Sequence, residues 1–195
     1  MAISLQKGQK VDLTKGNSGL SKLVVGLGWD ELPRRKKEFF SRDMAIDCDA
    51  SAALLQNGKL QEASDIVCFR NLTHRSGSVL HLGDNLTGEG DGDDEQIIVD
   101  LNRVPSQYSS VIVFVNIYQA YIRKQHFGMI ENAFVRVVDA RSDTELCRYN
   151  LTDDYSNMTA IIFCEIYRNN NEWKFNAIGN GTEDGTIEQV IHRYS

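Results

Sequence analysis

Ile46-Asp47-Cys48-Asp49-Ala50-Ser51-Ala52-Ala53-Leu54 alternates apolar and polar residues with a period of two over most of its length. Side chains alternate across a β-strand, so Ile46, Cys48, Ala50, Ala52 and Leu54 fall on one face, which predicts a core strand. Asp47, Asp49 and Ser51 fall on the other. Aspartate is disfavoured in strands, and two on one face stand about 7 Å apart. Taken alone, that second face reads as a water-facing edge.

The flanking sequence repeats the strand signature. Short runs rich in Val, Ile, Phe and Tyr predict strands from Lys22 to Gly28, Met44 to Leu55, Asp65 to Arg70, Ser78 to Leu82 and Glu95 to Leu101. More follow from Ser110 to Tyr118, Ala133 to Asp139, Thr144 to Leu151, Thr159 to Tyr167 and Trp173 to Gly179. Gly, Asn, Asp and Ser clusters separate them, and Asn169-Asn170-Asn171 reads as a tight turn because Asn tolerates positive φ. Many short strands with few helical patterns indicate an all-β sandwich of two antiparallel sheets. Two segments break the pattern. A short helix or turn fits Gln119 to Phe127. A C-terminal helix fits Ile187, Val190, Ile191 and Tyr194, with Asp184 or Thr186 as its cap.

The chain has 195 residues and no Pro- or Ser-rich linker, which suits one domain over 1–195. The N-terminus lacks the apolar core of a signal peptide, and no apolar run approaches the ~20 residues that span a bilayer. Cys48, Cys68, Cys147 and Cys164 form no CxxC pair and sit among apolar neighbours, which reads as reduced, buried thiols in the cytoplasm. A net charge of −6 argues against nucleic acid as a partner. The basic cluster Arg34-Arg35-Lys36-Lys37 reads as a solvated hairpin.

The charge is concentrated in one place. Asp84, Glu89, Asp91, Asp93, Asp94 and Glu95 put six carboxylates into twelve residues, without a Lys or Arg, and this equals the formal charge of the whole chain. Carboxylates ~6 Å apart in water repel by roughly 0.7 kcal/mol per pair. Interleaved glycines (Gly88, Gly90, Gly92) favour a compact path, which a hard cation reconciles with the charge. Calcium takes six to eight oxygens from carboxylates, amides and carbonyls, and this segment offers all three, with Asn85 and Thr87 adding neutral oxygens. The Asp47/Asp49 face then becomes a wall of the same site, and the count of carboxylates fits two ions. An EF-hand starting at Asp84 would place Leu86 and Gly88 where oxygen ligands belong, and a P-loop needs a Lys that is absent. His81, between Leu80 and Leu82, reads as a hydrogen-bonding strand residue. Arg123 and Gln125 read as structural, and His74, His126 and His192 have no acidic partner visible in the sequence.

Leu27-Gly28-Trp29-Asp30, Asp47-x-Asp49-Ala50-Ser51-Ala52 and the long stretch from Gly77 through Gly83-Asp84-Asn85 to Asp93-Asp94-Glu95 resemble the TerD family of tellurite-resistance and stress proteins. The resemblance continues through Val115-Asn116-Ile117-Tyr118, Arg123-x-Gln125-x-Phe127-Gly128, Arg148-Tyr149-x-Leu151-Thr152 and Glu172-Trp173-Lys174-Phe175, and departs in the Leu32 to Phe40 segment. It implies a calcium-binding β-sandwich whose ions are held by Asp47, Asp49, Asp84, Asn85, Glu89, Asp91, Asp93, Asp94 and Glu95, with Asn71 matching a family Asn. It also implies a non-catalytic scaffold or sensor with protein partners in membrane-associated stress complexes and no small-molecule substrate. The competing expectation is a metal-dependent hydrolase that uses the same carboxylates for phosphoryl transfer. Against it, no general base or phosphate-clamping cation stands in the acidic segment.

Overall fold

A computed structural model describes residues 2–17, 19–31, 45–83, 92–170 and 172–195. In chain order they form β1 (Ile3–Leu5), β2 (Lys10–Asp12), β3 (Lys22–Glu31), β4 (Cys48–Leu55), β5 (Ile66–Val67), β6 (Val79–His81) and β7 (Glu95–Asp100). There follow β8 (Ser110–Ile117), α1 (Ala120–Arg123), β9 (Ile130–Asp139), β10 (Thr144–Asn150), β11 (Ala160–Asn169), β12 (Glu172–Thr182) and α2 (Ile187–His192). The first sheet has the order β1-β10-β9-β3-β7-β6, and the second β2-β12-β11-β8-β4-β5. Every pairing is antiparallel except β1 with β10, which run parallel. The two sheets form the β-sandwich that the alternating strands predict.

Alternation decides the core. Leu23, Val25 and Leu27 of β3, Ile97 and Val99 of β7, and Val135 and Val137 of β9 face Cys48, Ala50, Ala52 and Leu54 of β4 and Val111, Val113 and Val115 of β8. Each large aliphatic side chain so buried contributes roughly 1.5–3 kcal/mol. The small Ala50 and Ala52 on β4 leave room between the sheets.

The second face of β4 departs from expectation. On its Asp47/Asp49/Ser51 side, Asp49 and Ser51 are buried, with β4 lying between β8 and β5, while Asp47, just ahead of the strand, stays half-buried. The cause is a third layer. Ala53, Leu55, Ile112, Phe114, Ala160 and Ile162 on the outer face of the second sheet pack under Ile187, Val190 and Ile191 of α2. That helix starts at Thr186, whose Oγ1 accepts the Gln189 N–H at 3.3 Å, so Thr186 and not Asp184 is the cap. Asp184 instead accepts from Arg193 Nε at 2.6 Å.

Helix α1 is a single turn because Gln119 and Lys124, at φ +53° and +54°, bound it in the left-handed region. Asn170 takes φ +50°, as the Asn-rich turn predicts. Strands β1 and β2 escaped the sequence reading, since three residues are too few to display a period. Only Ile66–Val67 of the strand expected from Asp65 to Arg70 pairs in the sheet. The basic cluster at 34–37 and the expected strand start at Met44 lie outside the described residues. No helix among the described residues is long and apolar enough to cross a membrane.

Candidate metal centre

Three consecutive carboxylates at the start of β7 leave the chain in three directions. Glu95 shares the inward face of β7 with Ile97 and Val99 and is 2 % exposed. Its Oε2 lies 2.8 Å from Nε2 of His81, on neighbouring β6. His81 Nδ1 accepts the Gly83 N–H at 3.0 Å, so the ring proton sits on Nε2, which also faces the Ala50 carbonyl at 3.1 Å. His81 is thus the strand residue that the sequence suggests, tying β6, β7 and β4 together between the sheets.

Asp93 points to the outer face of the first sheet. Arg136 grips it with Nε at 2.7 Å and Nη2 at 3.1 Å, and Gln96 Nε2 donates at 3.0 Å. These bonds hold the Arg136 guanidinium above its ordinary pKa. The carboxylate lies over Gly26, where any Cβ would collide with it. A side chain at 26 would therefore displace the end of the acidic segment.

Asp94 takes the middle course. Its Oδ2 accepts the Trp29 N–H at 2.7 Å, while its own N–H donates to the Leu27 carbonyl at 2.7 Å. Burial pushes its carboxyl above the ordinary range, the Trp29 bond opposes this, and the Asp30 and Asp93 charges add to it. It opens onto a cleft of about 550 Å³ that Asp30, Asn132 and Asn150 also line. Arg148 and the rings of Trp29 and Phe134 line it as well, and Asn132 Nδ2 donates to Asp30 Oδ2 at 2.8 Å.

Asp47 and Asp49 lie on β4 and the residues leading into it, on the outer face of the second sheet. Asp47 pairs with Arg123 Nη1 at 3.5 Å, and the same guanidinium sits over the Tyr118 ring at 4.9 Å. Gln125 donates to the Ala45 carbonyl at 3.3 Å, so Arg123 and Gln125 both anchor the entry to β4. Asn71 donates from Nδ2 to the Ile66 carbonyl at 2.7 Å. What links these places is Cys48. Its buried thiol is pushed well above the ordinary value, first by burial and then by the charges of Asp49, Asp47, Glu31 and Glu95. Among the described residues no three Asp, Glu, His or Cys side chains close around a common centre. Asp84, Asn85, Glu89 and Asp91 lie outside the described residues.

One polar cluster is invisible in the sequence. His74, which lacks an acidic partner by sequence spacing, has one in space: its Nε2 lies 3.3 Å from Asp65 Oδ1. Tyr108 donates to the same oxygen at 2.7 Å and Arg75 at 3.1 Å. His74 Nδ1 meets Ser76 Oγ at 2.7 Å and the Ser76 N–H at 3.2 Å. The order Ser–His–Asp is that of a nucleophilic triad, but Asp65 and His74 are sealed and the Asp65 oxygen is already shared with Tyr108 and Arg75. The cluster locks the turn between β5 and β6.

The model of the TerD domain matches residues 1–194. The chain is 52% identical over 199 residues to stress response protein SCP2 of Bacillus subtilis (strain 168), covering 100% of both chains. It is 46% identical over 195 residues to tellurium resistance protein TerD of Serratia marcescens, covering 100% of this chain and 97% of the relative. Among solved structures, the unknown-function protein SAV2460 superposes with a TM-score of 0.66 at 26% identity, over 88% of this chain and 95% of that one. A TerD homologue, SCO6318 of Streptomyces coelicolor A3(2), superposes with a TM-score of 0.66 at 23% identity, over 91% of this chain and 99% of that one, and shows the fold alone.

Proposed function

Because the chain belongs to the TerD domain family, which spans tellurium-resistance and general stress proteins, we propose that it is a non-catalytic, calcium-binding stress protein acting as a scaffold or sensor. The observation that carries this reading is the succession of Asp93, Asp94 and Glu95 into β7 as the end of a segment with six carboxylates in twelve residues and no Lys or Arg. It occurs at the end of the sandwich where Gly83 leads into, and Gly92 out of, the most acidic segment of the chain. Like charges gather at such density at a cost that a divalent cation offsets.

The donor chemistry fits a hard ion. Asp94 and Asp30 offer carboxylates to one cleft, which Asn132, Asn150 and Arg148 also line. The nitrogen and sulfur alternatives are spoken for: His81 is engaged by Gly83, Ala50 and Glu95, and the raised Cys48 stays a thiol. Soft ions that want thiolate or free imidazole find neither there. Asp47, Asp49, Asn71, Asp93, Asp94 and Glu95 would hold or support calcium together with Asp84, Asn85, Glu89 and Asp91, and the number of carboxylates suits two ions. Bound calcium would cancel much of the −6 charge and order the surface around it, which is how a cation signals to a protein partner. Such partners would belong to a stress complex at the inner face of the membrane, with the chain itself cytoplasmic.

Isothermal titration with calcium, paired with thermal melts in calcium and in chelator, tests the reading. Saturable binding near two equivalents and a higher melting temperature are expected. No heat at millimolar calcium, with melts indifferent to chelator, overturns it. A pull-down in calcium against one in chelator then tests the sensor role: recovery of the same proteins in both excludes a calcium-gated partner.

A further inference from the structure

A cavity of about 330 Å³ lies between α1 and the start of α2, on the outer face of the second sheet. Its floor is polar. Asn116 and Asp49 are register partners on β8 and β4, so their side chains emerge side by side on the same face. Asn116 is 4 % exposed, yet its Oδ1 has no hydrogen-bond partner. An amide oxygen held dry without a donor costs on the order of 1–3 kcal/mol, so a native protein keeps one where something else donates to it.

The walls are apolar and aromatic. Phe69, Tyr118, Tyr121 and Ile122, four of the large hydrophobic residues that stay exposed, gather around the mouth, with Ile122 80 % exposed. The mouth is held in shape. The Tyr121 hydroxyl donates to the Glu183 carbonyl, and its ring rests on Gly185, where a Cβ would collide with it. The two rim charges neutralise each other, since Arg70 Nη2 donates to Glu188 Oε1 at 2.5 Å. No free cation is thereby offered to an anionic ligand by these rim residues, while the floor presents an amide acceptor beside a carboxylate.

We propose that this cavity binds a small organic cation: an aromatic or alkyl body bearing a primary ammonium. The ammonium donates to Asn116 Oδ1 beside the Asp49 carboxylate, and the body packs against Tyr118, Tyr121 and Ile122. Three donors on one charged head suit an acceptor floor, and the rings pack the body rather than the head, since the Tyr118 face already carries Arg123. The volume lies at the small end of the ~300–1,000 Å³ range of ligand pockets. This inference does not need calcium to be bound, although Asp49 belongs to the proposed metal set, so the two ligands compete if both use it.

The test is a ¹H–¹⁵N NMR titration of the full chain with 2-phenylethylamine, in chelator, against its neutral and anionic analogues 2-phenylethanol and phenylacetate. Saturable shifts are expected at the Asn116 side-chain amide, Tyr121 and Gly185, with the alcohol at least tenfold weaker and phenylacetate without effect. Ile122→Ser, at a position with no structural role, weakens binding at least threefold. Asn116→Leu erases the preference for amine over alcohol. No saturable shift, equal binding of all three probes, shifts confined to the acidic segment, or an unchanged preference in Asn116→Leu each overturn the proposal. A second titration in calcium separates the two readings: amine binding without calcium binding fails only the metal proposal, and the reverse fails only this one.

Discussion

Asp65 and Asn116 are both buried polar residues of the second sheet's surroundings, and they meet opposite fates. Asp65 Oδ1 receives His74, Arg75 and Tyr108. Asn116 Oδ1 receives nothing and lines a cavity. The Asp65 cluster spans a turn and two strands and leaves no approach for a ligand, so its polarity serves the fold. The Asn116 floor has the reverse arrangement: polarity costs stability there and is kept beside an opening. Asp65 too keeps one oxygen, Oδ2, without a partner, so neither burial nor partner count separates a lock from a site; the opening beside Asn116 does.

The contrast is sharpest in the sign of the expected stability changes. Asp65→Ala strands the buried His74 and Tyr108 donors and is expected to lose roughly 3–5 kcal/mol in urea unfolding. A loss below about 1 kcal/mol would show that water replaces the carboxylate and that the cluster is no lock. Next in size is calcium. If it binds as proposed, a hundredfold excess over its dissociation constant is expected to raise stability by about 2.7 kcal/mol, read as a shift in the urea midpoint against chelator. Asp65→Ala retains that increment if lock and metal centre are independent.

Asn116→Leu removes an unpartnered oxygen at nearly constant shape and is expected to stabilise the chain by about 1 kcal/mol. A destabilised variant would mean that the floor is a structural network after all. The smallest effect belongs to Glu145 on the first sheet. Burial pushes its carboxyl up, but the bonds and charges of Arg148 and Arg136 outweigh this and hold it below the usual range. Its contribution is therefore present above the ordinary glutamate pKa and lost as pH falls through the lower folded value. Glu145→Gln is expected to cost about 0.5–1 kcal/mol at neutral pH, with the difference from wild type closing in acid. A gap that ignores pH would remove the ion pairs from the account.

The sandwich was legible because its core strands obey period two: the Ile46 to Leu54 alternation assigns every apolar residue to the correct face. What that alternation cannot contain is the identity of the layer beyond. The outer face of β4 looked solvated until α2, more than a hundred residues away, came to lie on it at Ala53 and Leu55. The same limit hid His74 and Asp65, whose partnership is made by a turn and completed by Tyr108 from the approach to β8. The acidic composition pointed to a metal centre. That Asp94 and Glu95 leave on different sides was foreseeable from strand alternation, since neighbours on a strand cannot share a face, whereas Asp93, two residues from Glu95 and ahead of β7, departs from that alternation. The pairing of Asp93 with Arg136 was not, because it depends on the β3–β9 register and on Gly26 leaving space.

The pairing of N-terminal strands with late ones, β1 with β10 in parallel and β2 with β12 antiparallel in the opposite sheet, has a consequence for the order of events during synthesis. The first dozen residues leave the ribosome long before either partner exists. At roughly 5–20 residues per second they wait on the order of ten seconds or more for the last strands to be translated. Neither sheet acquires its final border until the chain is nearly complete, so native closure is a late, essentially post-translational step. Until then β1 and β2 stand unpaired and open to pairing with other nascent chains. A ribosome stalled just before residue 172 should therefore carry a protease-sensitive N-terminus that becomes protected only once β12 is released.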